Sequence, residues 1–112
     1  MVFKNTDMVP ITIGTPRDVE GAMTTWPIGT TFDWVIQSTS PSGLSIGYLD
    51  VAPDGKSAML MMGEAGATGF IILVATLPDG NNIIAQSEDI VAIASAPIET
   101  SLVFGASQPK PI

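Results

Sequence analysis

Apolar and polar positions alternate with a period of two along most of this chain. In "TTFDWVIQS", Phe32, Trp34 and Ile36 share one face and Asp33, Val35 and Gln37 the other, as a half-buried strand requires. "LSIGYLDV" alternates again, with Leu44, Ile46 and Tyr48 separated by polar or small positions. "KSAMLMM" sets Ala58, Leu60 and Met62 in one register and Met59 and Met61 in the other. A first strand is expected near Met8 to Ile13, and "IIAQSEDIVAI" reads as one closing strand. Helical periodicity is hard to find.

Turn chemistry punctuates these runs. The chain has 11 glycines and 9 prolines, and Pro-Asp-Gly occurs twice, at Pro53 to Gly55 and Pro78 to Gly80. Proline presets its own φ, aspartate bonds locally, and glycine takes the left-handed position of a tight turn. "GTPRDVEGAM" reads as a loop with room for a short paired segment. Short strands at regular spacing predict an all-β protein, an immunoglobulin-like β-sandwich of about seven strands, with a small closed barrel as the competing architecture. Phe32, Trp34 and Ile36 are the expected core, with Trp34 filling the space between sheets.

A chain of 112 residues fits one domain. Its expected extent is 1–97, followed by a C-terminal strand or extended tail over 98–112. "LVFGAS" in that tail shares its alternation with "ITIGTP" near the start, which fits either the stub of a second repeat or an arm that pairs with a neighbouring subunit. The final "SQPKPI" reads as an extended, exposed end.

The segment "GFIILVATLPDGNN" is apolar in both registers before its turn. Interrupted by Gly66, Thr68, Gly69 and Thr76, the apolar run from Ala65 to Leu77 falls short of the roughly 20 residues that cross a bilayer as a helix. This glycine-led strand, its Asp-Gly turn and the closing strand together resemble the second half of bacterial immunoglobulin-like domains of the Big2 type. Gly69, Ile71, Leu73, Ala75, Asp79 and Gly80 occupy the matching positions. Such domains also occur in phage virion proteins, so the resemblance implies a sandwich that serves as a structural or adhesive module. The chain departs from that pattern at Phe70, Ile72 and Val74, where the family places threonine or another polar residue. A strand apolar on both faces is usually covered on both. These three residues, with Met59 and Met61, whose flexible thioethers suit adaptable interfaces, are the expected partner-binding positions. The competing expectation is that the long segment from Thr15 to Gly29, or the tail, covers this face.

Composition narrows the chemistry. The net charge of −7, with only Lys4, Arg17, Lys56 and Lys110 as cations, opposes nucleic acid as a partner and offers no basic stretch for an anionic membrane. With no cysteine and no histidine, the chain has no thiol nucleophile, disulfide, histidine-based triad or histidine zinc site. Lys56 and Ser57 are adjacent in a strand and point to opposite faces, which disfavours a serine–lysine dyad. Asp50 with Asp54, and Asp79 with Asn81 and Asn82, carry oxygen ligands suited to calcium, but at no EF-hand spacing. Glu88 and Asp89 are neighbours in one strand, not a facing catalytic pair. "GEAGATG" lacks the Gly-Lys-Ser/Thr of a phosphate loop. No cofactor and no enzymatic activity are expected.

The expected function is a non-enzymatic interaction module of a phage virion, on the capsid or tail, made in the host cytoplasm and carried out on the particle. Its expected partners are other virion proteins or further copies of itself. No signal peptide is expected, because Asp7 and Pro10 interrupt the N-terminal apolar stretch. The alternative is a bacterial surface adhesin or carbohydrate-binding domain facing a cell-surface glycan, with Trp26, Trp34 and Tyr48 as the aromatics available for a platform and Trp26 expected near the surface.

Overall fold

A computed structural model describes residues 1–41, 43–95 and 100–111. Among them are eight strands and no helix: β1 (Val2–Lys4), β2 (Met8–Thr12), β3 (Thr31–Ser38), β4 (Gly47–Val51), β5 (Ser57–Met62), β6 (Thr68–Thr76), β7 (Asn82–Gln86) and β8 (Ile90–Ile93). They form two sheets. One contains β1, β8, β6 and β3 in that order, with β7 also on β6; the other runs β2, β5, β4. The order β2-β5-β4 facing β3-β6-β7 is that of an immunoglobulin-type sandwich, and the closed barrel is set aside.

The centre of the larger sheet is β6, the strand of the apolar segment. One of its edges pairs antiparallel with β3 throughout, from Thr31 opposite Thr76 to Ser38 opposite Gly69. The other edge is divided: β8 takes Thr68 and Gly69, and β7 takes Ile72 to Thr76. The expected single closing strand is therefore two. Ser87 marks the break, since its backbone N–H donates to Ile71 O at 2.8 Å while its Oγ accepts from Ile71 N at 2.9 Å. A side chain replaces one rung of the ladder there, and the chain steps sideways before pairing resumes.

The core lies between the sheets. Ile46, Leu60 and Ile90 are its fully buried large side chains, with Ile71, Ala67 and Ala92 beside them. Trp34 and Ile36 pack against this cluster. Phe32 is half-buried, and Trp26 meets it edge-on at a centroid distance of 5.2 Å. All three expected core residues of β3 thus lie in its inward register.

Three local expectations change. The pairing of Val2–Lys4 with β8, parallel and at the sheet edge, adds a strand that so short a run did not announce. Regular alternation over "LSIGYLDV" fails at Gly47, whose φ of +132° shifts the side-chain parity, so that Ile46 is buried while Tyr48 is exposed and Leu49 turns inward. A Cβ at Gly47 would collide with the Met61 carbonyl oxygen, so glycine is required twice over. In the tail, residues 100–111 carry no strand. The expected boundary between residues 97 and 98 lies outside the described residues.

Candidate functional site

Side chains of β6 alternate across its sheet. Gly69, Ile71 and Ala75 are buried against the second sheet, which sends Phe70, Ile72 and Val74 to the outer face. Register sets their neighbours: Val35, Ile72 and Gln86 form one row, and Asp33, Val74 and Ile84 the next. Val35 is 46% exposed and Ile84 68% exposed, while the three β6 residues are half-buried by these flanking strands. The result is an apolar patch rimmed by Asp33, Gln37 and Gln86. Val35 had a legible signal, since its parity matches Asp33 and Gln37; Ile84 joins the patch only through the β6–β7 register.

Among the described residues, neither expected cover is placed over this patch. The 15–29 segment folds on itself through an Arg17–Met23 bridge, the short paired segment anticipated there, and sends Trp26 to the inward-facing Phe32. Residues 100–111 are exposed throughout.

Met59 and Met61 lie elsewhere. Leu60 and Ala58 of β5 are buried, so both methionines point out of the opposite sheet. There Tyr48, Met61 and Met8 form one row and Asp50, Met59 and Pro10 another. The five expected partner-binding residues therefore divide between two faces on opposite sides of the sandwich. The three aromatics considered for a glycan platform do not converge either. Trp34 points inward, donating from Nε1 to Gly55 O at 2.7 Å, Trp26 is half-buried against Phe32, and Tyr48 alone is exposed.

A third feature was not foreseen. Between β2 of one sheet and β7 of the other, the sandwich interior opens into a groove of about 630 Å³. Val9, Ile11, Leu73, Ile83, Ala85 and Trp34 line it, and Trp26 stands near one end with Met1 at the other. No charged side chain is among its lining residues. The opening leaves Ile83 45% exposed although its register faces inward, and every residue of β7 is exposed. In an immunoglobulin-type sandwich this side, between the second and last strands, is where the first strand runs. Here β1 covers only the β8 portion.

Asp54, Asp79, Asn81 and Asn82 are held by hydrogen bonds within or across their own turns. Asp54 Oδ1 accepts from Lys56 N at 3.0 Å; Asp79 accepts from Asn81 N at 2.9 Å and from Asn81 Nδ2 at 3.1 Å. Asn82 Oδ1 accepts from Thr76 Oγ1 at 2.9 Å. Glu64 Oε2 of the glycine-rich turn accepts from Ser45 N at 2.8 Å. Among the described residues no group of three or more acidic side chains gathers as a metal cage would. Comparison with protein-family models, with curated proteins and with solved structures returns no match.

Proposed function

We propose that this chain is a non-enzymatic structural module that decorates or joins a larger assembly, a phage virion in the first place, and that it anchors through the outer face of its larger sheet. The observation that carries this reading is the uncovered apolar patch of Phe70, Ile72 and Val74 with Val35 and Ile84. Contiguous exposed apolar surface with a polar rim is the usual mark of a protein–protein contact. Because Phe70, Ile72 and Val74 are already half-buried, covering each one contributes roughly half of the 1.5–3 kcal/mol of a full side-chain burial.

The word virion rests on the resemblance of the "GFIILVATLPDGNN" segment to immunoglobulin-like domains, and the partners are then other virion proteins or further copies of this chain. The adhesin reading shares the sandwich; its glycan form is left with Tyr48 as the exposed aromatic. The test is the mass of the purified protein by light scattering at several concentrations, for the wild type and for Ile72→Lys. Association that Ile72→Lys abolishes supports this face as the anchor. A mass that Ile72→Lys leaves unchanged at every concentration argues against self-association through this face.

A further inference from the structure

The groove between β2 and β7 and the C-terminal arm have matching chemistry. The groove is mainly apolar and is lined by no charged side chain. In the arm, Leu102, Val103 and Phe104 are 84%, 92% and 89% exposed, and among the described residues 100–111 make no backbone hydrogen bond with the sandwich. From Thr100 to Pro109 the arm has no charge, in a chain whose net charge is −7. As an added strand it would place Leu102 and Phe104 on one side and Val103 on the other.

The backbone beside the groove is prepared for such a strand. Asn81 O and Ser87 N both point at β6, so the alternate residues Asn82, Ile84 and Gln86 direct their N–H and C=O groups away from the sheet. The opposite wall is less receptive: Asp7 O and Ile13 N point at β5, which puts Pro10, with no N–H to give, on the free edge of β2. β1 already shows the lane. It lies on the outer edge of β8, with Val91 N donating to Met1 O at 2.9 Å, and its N-terminal end lies next to the Gln86 end of the free edge of β7.

We propose that the arm of a second copy of this chain inserts along β7, with Leu102 and Phe104 entering the groove, so that the sandwich is closed by strand exchange between copies. Own-arm insertion is opposed by direction and reach. β8 runs away from β7, and its Ile93 lies about eight residues beyond the level of Val74 and Ile84, or ~27 Å along β6. Ser95, held further out by Asn5 Oδ1 at 3.0 Å, is followed by only seven residues up to Leu102, which span at most ~25 Å and would first have to reverse. A reciprocal exchange about a two-fold axis meets no such limit and fills both grooves.

The test uses the full chain, which has no cysteine of its own. Light scattering across a concentration series is expected to give a dimer, and Leu102→Asp with Phe104→Asp, both at exposed positions, to weaken it roughly a hundredfold or more. Ile72→Lys is expected to leave this association intact, which separates its failure from failure of the outer-face reading. Two further variants, Phe104→Cys and Ala85→Cys, are mixed and oxidised, and a disulfide-linked heterodimer is expected. A wild-type chain that stays monomeric, a dimer indifferent to the Asp substitutions, or an oxidised cysteine mixture that yields no heterodimer would each overturn the proposal.

Discussion

Trp34 of β3 and Gly55, in the turn between β4 and β5, are joined across the sandwich by a hydrogen bond of 2.7 Å from the indole Nε1 to the glycine carbonyl. The bond links the larger sheet to a turn of the smaller one. The same turn holds Gly55 at a φ of +70°, where an added Cβ would come into van der Waals contact with Phe32. Trp34→Phe keeps most of the apolar volume but leaves the Gly55 carbonyl without this donor. The expected cost is about 1–2 kcal/mol in urea unfolding. An unchanged midpoint would mean that water replaces the indole without loss.

Gly69 packs closely against Ile46 in the core. A Cβ on Gly69 would strike the Gln37 carbonyl oxygen and approach Ile46 Cγ2 to 2.9 Å. Because the first obstacle is backbone in the β3–β6 ladder, it cannot swing aside as a side chain would. Gly69→Ala is expected to destabilise by about 1–3 kcal/mol, as overpacking does. Gly14→Ala, with nothing within 4 Å and no positive φ, is its control and is expected to change little.

Ser87 accounts for the division of the last strand. Its Oγ takes the Ile71 N–H and donates onward to Glu88 O at 2.9 Å. Ser87→Ala removes the acceptor from a part-buried backbone donor, at an expected cost of about 1–3 kcal/mol. Amide hydrogen exchange is expected to accelerate at Ile71 more than at Leu73, whose pairing with Ala85 is independent of this side chain.

The open groove divides the apolar residues into two energetic classes. Leu60 is 1% exposed, so Leu60→Ala is expected to cost about 2–5 kcal/mol. Ile83 faces the same interior but is 45% exposed, and Ile83→Ala in dilute, unassociated protein is expected to cost under about 1 kcal/mol. Denaturation at low and high protein concentration measures both. The Ile83 cost is expected to rise with concentration if the groove is filled by another copy, and the Leu60 cost to stay constant.

Strand identity was legible along much of the chain because it depends on local alternation and turn residues. Phe32, Trp34 and Ile36 share the inward face as their spacing predicts, and the glycines of both Pro-Asp-Gly turns adopt positive φ. The double-sided apolar character of β6 was equally plain, since Phe70, Ile72 and Val74 stand in one parity and Ile71 and Leu73 in the other. What remained hidden was set by contacts distant in sequence. Gly47 reverses the parity of Tyr48 because the Met61 carbonyl lies against it. Ser87 splits an apolar run because Ile71 offers it a backbone donor. The separation of Met59 and Met61 from the Phe70 face required knowing that β5 and β6 belong to different sheets. The groove is the clearest case: Pro10 marks β2 as an edge strand, but nothing in β7 announces a free edge, and the opening exists because among the described residues no long first strand runs between them. Sequence determined which residues seek burial; only the sheet order decided which of them the chain leaves in reach of a partner.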